Sequence, residues 1–458
     1  MFKIKNLFLG SVVLLLLGLN VGTNPPRAKE SYESLGIFTD VLSIVQNNYV
    51  DEEKVKPEEL IYGAIKGVLS ELDDPYTRFM PPKKYEETQV QTKGEFGGIG
   101  IEITLREEVL TIVAPIDDTP GYKAGLKAGD KITEIEGKST KGITLEEAVD
   151  KLRGPKGSPV TFIVSREEEE PFPVTIIRDI IEIKSVKGEM INEEIGYLRI
   201  ASFSEHTARE LDRILKELLK ENKVKSLVLD LRNNPGGLLI SAFEVSDKFL
   251  QEGVVVSTKG RIAHQNREYR ARKQEDDFDL PLVVLINNGS ASGAEIVAGA
   301  IKDTGRGVLL GTKSFGKGSV QTIYPLSDNS GIALTTAKYF TPSGICIHEK
   351  GIMPQIVVEP RKFTKEEIEQ FKKLNEGKLI KGFVDKHNPY TEEDLDKFLK
   401  ELSDKEINLE KTIIKSRVDR ELRIANNEKE PLFDLEIDNQ LKRAVELLVA
   451  LPVFSRSH

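Results

Sequence analysis

Ser292 and Lys317 are the two residues of this chain best suited to covalent chemistry. The run VVLINNGSASGAEIVAGAIKD, Val283 to Asp303, puts Ser292 just past an apolar strand and at the start of an Ala-rich helix. After a second apolar strand, VLLGTKSFGKGSVQ, Val308 to Gln321, holds Lys317 in a glycine-bounded turn. A serine hydroxyl is a weak nucleophile at neutral pH and needs a base. A lysine amine serves once desolvation brings its pKa down from about 10.4 toward neutrality. None of the five histidines is an obvious competitor. The pairing points to a Ser–Lys hydrolase. Ser290 reads instead as a cap of the turn before the helix. Free N–H groups and the helix dipole favour a developing anion beside Ser292.

The elements that must position these residues are readable around them. From Glu182 onward the strands IGYLRIASF, SLVLDLR, VVLIN and GVLLG alternate with helices such as TARELDRILKELLKEN. That alternation predicts a mainly parallel, helix-covered sheet with functional groups on loops at strand ends. Residues 93–181 are short strands broken by glycine turns. In GEFGGIGIEITL, the glycines Gly97, Gly98 and Gly100 let the amides of Ile99, Gly100 and Ile101 turn into one concavity, a nest for a terminal carboxylate. A strand edge beside it would accept an extended peptide, with the helix Leu145–Leu152 as a wall. Residues 32–92 form a helical segment expected to pack on the core. The Lys/Glu-rich tail, 361–458, reads as a solvated or dimerising helical arm, ending in an amphipathic helix, DNQLKRAVELL, able to fold back.

Composition narrows the function classes. In 458 residues, 65 basic and 74 acidic side chains are interspersed and leave a net charge of −9, which is no nucleic-acid footprint. The lone Cys346 excludes an internal disulfide. With no His/Cys/Asp cluster at ligand spacing and no phosphate loop, neither a metal nor an organic cofactor is expected. MFKIKN followed by an uncharged run, Leu7 to Gly22, reads as a signal peptide or membrane anchor within residues 1–26. The expectation is an exported protein, in the periplasm or on the outer face of the inner membrane, associated with the membrane if the segment stays.

Taken together, LVLDLRNNPGG, NNGSASGAEIVAGA, SFGKGSVQ and TPSGICIHEKGIMPQIVVEP resemble the carboxyl-terminal processing peptidases, PDZ-containing Ser–Lys proteases. AGLKAGDKITEIEG resembles the turn of their PDZ domain. The likeness covers roughly residues 32–360 and the last helix. It implies an α/β fold: a ClpP/crotonase-like βα protease core, residues 182–360, with an inserted PDZ β-sandwich-like domain, residues 93–181, and helical N- and C-terminal arms. By the resemblance Ser292 is the nucleophile, Lys317 the general base, and Gln321 orients the lysine amine. The oxyanion donors are the amides of Gly293 and Gly236, with Gly237 as the alternative to Gly236. Gly98, Ile99, Gly100 and Ile101 would take the substrate's C-terminus. Glu295 is expected to favour the helix start, and Asp230 and Arg232 to structure the glycine loop. Arg178, where the PDZ segment hands over to the core, reads as a surface arginine or as a coupling residue. The implied activity is a serine endopeptidase acting on unstructured or C-terminally recognised exported proteins. The resemblance implies protein or peptide substrates with free C-termini; the terminal helical arms make a second copy of the chain a candidate partner, and a regulatory adaptor is a further candidate that the sequence does not read out. One rival is an inactive PDZ-bearing adaptor, against which the full set of catalytic residues counts. The other is an acyl-CoA enzyme on the same core, against which the export segment and PDZ segment count.

Overall fold

The computed structural model describes residues 26–455 except 167–168, 222–223, 275–277, 427 and 429. The apolar run of the expected signal or anchor lies outside the described residues. Among the described residues, no helix is long and apolar enough to cross a membrane. The chain divides into two compact units, Met1–Phe79 and Met80–His458.

The first unit is built on helices α1 (Pro26–Asn48) and α2 (Pro57–Ser70). Proline at the first position of α2, followed by Glu58 and Glu59, suits a helix start, where an N–H is dispensable and negative charge meets the dipole. No residue of α2 is buried, and Ile37, Val41 and Ile44 of α1 are exposed. A short strand, β1 (Arg78–Met80), ends this part of the chain.

The second unit begins with α3 (Pro82–Lys93), which stops at Gly94 in a left-handed conformation. After β2 (Glu95–Gly98) come β3 (Ile101–Arg106), β4 (Val109–Pro115), the single turn α4 (Pro120–Lys123), β5 (Lys131–Ile135) and β6 (Lys138–Ser139). Helix α5 (Leu145–Leu152), β7 (Pro159–Ser165) and β8 (Phe172–Ile177) complete the segment. Its antiparallel sheet runs β3-β4-β5-β7-β8, so β3 is a terminal strand. Alternate residues Val160, Phe162 and Val164 of β7 are buried with Ala148 and Leu152 of α5, as are Ile132 and Ile135 of β5, which lie either side of a register shift between Ile132 and Glu134. The two-residue period of a strand puts these apolar side chains on one face. Thr144 and Glu147 close a capping box at the start of α5, Thr144 N–H donating to Glu147 Oε2 over 2.9 Å and Glu147 N–H to Thr144 Oγ1 over 3.2 Å. A separate ribbon pairs β2 with β9 (Asp179–Glu182).

The largest core follows. Strands β10 (Val186–Met190), β11 (Ile195–Ile200) and β12 (Ser226–Asp230) flank α6 (Thr207–Glu221), and α7 (Leu239–Asp247) leads to β13 (Glu252–Gly260) and β14 (Arg267–Arg272). Then come β15 (Leu282–Ile286), α8 (Gly293–Asp303), β16 (Val308–Gly311), β17 (Ser319–Pro325), β18 (Gly331–Phe340) and β19 (Ile356–Val357). The main sheet runs β10-β11-β12-β15-β16-β19, parallel apart from β10 against β11. Strands β17, β18, β13 and β14 form an antiparallel sheet. Both faces of the parallel sheet are covered, as parallel sheets require. Leu227 and Leu229 of β12 and Leu282, Val284 and Ile286 of β15 join the cluster that takes in α6, α7 and α8. Val228, Val283 and Leu285, one residue out of step, face the opposite way onto Leu441, Ala444 and Leu448 of the last helix, α13 (Asn439–Ser455).

The tail departs from the expected solvated arm. Helices α9 (Lys365–Glu376), α10 (Leu379–Val384), α11 (Glu392–Asp404) and α12 (Lys411–Ala425) bury a core of their own, including Leu374, Phe383, Leu395, Phe398, Ile414 and Val418. Their apolar positions, three and four apart, face one another rather than water.

Candidate active site

Ser292 stands at the turn from β15 into α8, with φ +52° and ψ −112°. A non-glycine residue in that region carries strain of about 1–3 kcal/mol and persists only where its surroundings hold it. They do so here from two sides. Ala291 N–H donates to the Asn234 carbonyl over 2.9 Å, and Ser292 N–H donates to Glu295 Oε2 over 3.0 Å. Ser290 is fully buried, and its hydroxyl donates to the Leu231 carbonyl over 2.8 Å, as a turn cap would. Ser292 is only partly buried.

Glu295 is the residue whose importance the sequence understated. A Ser-x-x-Glu spacing predicts one bond, from the glutamate back to the N-cap amide. The structure adds three more. Glu295 Oε1 accepts from Ser314 Oγ (2.6 Å) and Gly316 N (2.8 Å), while Oε2 accepts from Lys317 N (2.9 Å) as well as Ser292 N. The amides of Ser292 and Lys317 therefore share one carboxylate oxygen. This side chain is fully buried. Burial pushes its pKa above the ordinary glutamate value, against the pull of its four donors.

The Lys317 turn is held from its other side by residues 347–352. Gly316 accepts from Glu349 N–H over 2.8 Å, and Ser314 N–H donates to the Ile352 carbonyl over 3.0 Å. A β-carbon on Gly318 would stand 2.5 Å from His348 N, and one on Gly316 would stand 3.0 Å from Gly351 N. Close backbone approach is what the flanking glycines permit. The Tyr339 hydroxyl donates to the Lys317 carbonyl. Lys317 is half-buried. On β17, the Gln321 side-chain amide donates to Ser319 Oγ (2.9 Å) and Thr335 Oγ1 (3.2 Å).

The NNPGG loop meets Ser292 directly. A β-carbon on Gly236, whose φ is +97°, would lie 2.6 Å from Ser292 Cβ, 2.8 Å from Ala291 O and 2.8 Å from Gly293 N. Two of those atoms belong to backbone and cannot swing away. Gly236→Ala is therefore expected to displace the serine turn and lower kcat by about 100-fold, checked by steady-state cleavage kinetics. The distribution of amide bonds separates the two glycines. Gly236 N–H donates to Asn234 Oδ1 over 2.8 Å. Gly237 forms a parallel bridge with Phe203 through its neighbours, Phe203 N–H to Gly236 O (2.9 Å) and Leu238 N–H to Phe203 O (2.8 Å). That pattern leaves the N–H of Gly237 itself unclaimed among the described residues, as is the N–H of Gly293, the first residue of α8.

At the other site, Gly98 closes β2 opposite Asp179, and Ile101 opens the terminal strand β3. The carbonyls of Ile99 and Gly100 point to the 116–121 turn, accepting from Gly121 N–H (2.7 Å) and Ile116 N–H (2.9 Å), while the amides of Ile99 and Gly100 donate to no backbone group among the described residues. Gly100 has φ +73°, and a β-carbon there would strike Thr119. Arg178 is buried, not a surface arginine. Its guanidinium donates to the carbonyls of Leu152 (3.0 Å), Lys151 (2.8 Å) and Pro159 (2.7 Å), closing the C-terminal end of α5.

Asp230 and Arg232 organise the glycine loop, as expected. Asp230, fully buried, accepts from Tyr197 Oη at 2.8 Å and Arg232 Nη2 at 2.7 Å. Burial, then the Asp230 charge, pushes the Tyr197 pKa up. Sequence inspection did not connect Arg232 with Asp438 and Gln440, far along the chain, which it also grips.

Comparison with known proteins agrees with this architecture. The model of peptidase family S41 matches residues 194–358, that of a PDZ domain residues 111–166, and that of the N-terminal domain of the activating protease CtpB residues 20–84. A carboxy-terminal-processing protease of Bartonella bacilliformis is 44% identical over 365 residues, covering 78% of this chain and 82% of that one. A carboxyl-terminal-processing protease of Synechocystis is 37% identical over 359 residues, covering 73% and 83%. Among solved structures, a photosystem II D1 C-terminal processing protease is 31% identical, covers 70% of this chain and 92% of that one, and superposes with a TM-score of 0.42. The chain belongs to peptidase family S41, among the carboxyl-terminal processing serine proteases that carry a PDZ domain.

Proposed function

We propose that the protein cleaves unstructured polypeptides with a Ser292–Lys317 dyad, after its PDZ segment has captured their free C-terminus. The observation that carries this reading is the shared carboxylate of Glu295, which gathers the Ser292 and Lys317 backbones at one point. Neutral Lys317 accepts the hydroxyl proton as Ser292 Oγ attacks the scissile carbonyl carbon. The resulting oxyanion is bound by the amides of Gly293 and Gly237, with Gly236 supplying the close approach rather than the donor. The Lys317 ammonium then protonates the leaving amine, and water repeats the sequence on the acyl-enzyme. Gln321, with its NH2 end held by Ser319 and Thr335, would turn its oxygen to the lysine amine.

The substrate's terminal carboxylate would sit against the amides of Ile99 and Gly100, and its last residues would add a strand to the open edge of β3 beneath α5. The uncharged run Leu7–Gly22 would carry the protein out of the cytoplasm. The test is cleavage of an unfolded reporter with an apolar, free C-terminus against the same reporter amidated. Charge-assisted hydrogen bonds to a carboxylate contribute about 1.5–3 kcal/mol, so amidation should raise KM roughly tenfold or more. A serine-reactive phosphonate should label Ser292 and leave Ser290 unmodified. Equal KM values for the two reporters would remove the PDZ-capture step. An unlabelled Ser292 together with a reporter that binds but stays intact would mean an adaptor instead of a protease.

A further inference from the structure

Five of the six residues 231–236 leading into the glycine loop are clamped, and one of the clamps comes from the far end of the chain. Leu231 is held by Ser290, Asn233 by Asn287 through paired bonds of 2.8 and 2.9 Å, and Asn234 by Ala291 and the Ile200 carbonyl. Gly236 is held by Asn234. Those partners all lie near the serine turn or at the end of β11. Arg232 alone reaches out of this neighbourhood. Its Nη1 and Nη2 meet Asp438 Oδ1 and Oδ2 at 2.9 and 2.6 Å, and Nη1 also meets Gln440 Oε1 at 3.0 Å. The planar fork of a guanidinium matched to a carboxylate fixes direction as well as distance.

The receiving end is equally constrained. Asp438 Oδ1 accepts from Leu441 N–H over 3.0 Å, so the carboxylate that grips Arg232 also caps α13. Gln440, buried, donates to the Val358 carbonyl over 2.7 Å. Burial opposes the charge of Arg232, but bonds to Asp438 and Asp230 outweigh it and hold its pKa above the ordinary arginine value. The α13 helix itself is fastened to the sheet by Leu441, Ala444 and Leu448.

We infer that Arg232 is a positioning residue through which the C-terminal helix sets the oxyanion loop, and that Asp438 is its anchor. This rests on the reading that the 236–237 loop supplies an oxyanion donor. The carboxylate fixes the Arg232 side chain, and Arg232 fixes the backbone four and five residues before the donor.

The test compares full-length wild type with Asp438→Asn, Arg232→Lys, the double variant and Leu448→Ala. The assay is steady-state cleavage of the unfolded reporter, with melting temperatures measured alongside. Asp438→Asn should lower kcat by about 100-fold and keep KM within about twofold. The double variant should be no slower than the slower single, because both act through one contact. Leu448→Ala removes an apolar contact about three turns along α13 from Asp438 and leaves the Asp438–Arg232 fork in place, so it should lower the melting temperature and keep kcat. Unchanged kcat in Asp438→Asn would overturn the inference, as would an equal loss of kcat in Leu448→Ala. Ser292→Ala in the same assay separates the two proposals: if it cuts as fast as wild type, the dyad reading fails on its own account.

Discussion

Ser292→Ala and Lys317→Ala will each leave a folded protein that no longer cuts. Losing the nucleophile or the base of a coupled pair lowers kcat by a factor on the order of 10⁶, and the two losses do not add. Removing Ser292 leaves the lysine nothing to activate. Removing Lys317 leaves a hydroxyl that is scarcely ionised near neutral pH. The double variant should therefore be about as slow as either single one. Steady-state cleavage of the unfolded reporter with the free C-terminus reads these values directly. Binding is a separate matter, because the proposed docking residues, Ile99 and Gly100, lie in the loop joining β2 to β3, outside the sheets that carry Ser292 and Lys317. All three variants should bind the reporter as tightly as wild type. A single variant that retains activity would displace the residue it replaces from the mechanism.

Glu295→Gln is expected to combine a loss of activity with a loss of stability. The carboxylate meets four donors: two N–H groups on Oε2, and an N–H with a hydroxyl on Oε1. Glutamine keeps one acceptor oxygen and turns an NH2 group toward the donors at the other. One pair is then left facing hydrogens, a buried mismatch costing about 1–3 kcal/mol. The freed backbone is that of Ser292 and Lys317 themselves, so kcat should fall by about 100-fold from misplacement alone. The melting temperature should fall with it.

A pH dependence follows from the same geometry. Protonated Glu295 has one fewer acceptor site, so activity should decline as pH falls through its pKa, which burial places above the ordinary glutamate range. Stability has the opposite sign for this group. Its folded pKa is raised, so its contribution is most favourable in acid and weakens as pH rises from the unfolded pKa to the folded one. The acid limb attributable to Glu295 should be missing from the kcat profile of Glu295→Gln. A limb of the same midpoint in both proteins would assign it to another group.

How much of this was legible in the chain can be argued from particular residues. The strands β12 and β15 announce themselves because a buried parallel strand needs an unbroken apolar run, and SLVLD and LVVLI are such runs. The serine turn and the lysine turn are legible because glycines and small residues cluster where backbone must bend or approach closely. Glu295 was half legible. Its spacing from Ser292 specifies one local bond, but its contacts with Ser314, Gly316 and Lys317 arise only once β16 lies beside β15. The tail misled because its apolar residues are diluted by Lys and Glu, and four amphipathic helices look solvated until they face each other.

The sequence by itself determined the protease class, the candidate residues for its chemistry, and the order of strands and helices in the core, since each depends on residue type and short-range spacing. The tertiary structure decided which amides are free. Asn234 takes the Gly236 N–H, while among the described residues the N–H groups of Gly237 and Gly293 meet no acceptor. It also decided that α13 grips the glycine loop through Asp438 and Arg232, two residues more than two hundred positions apart. Hydrogen-bond partners are set by where backbones come to lie in space, and local periodicity carries no information about that.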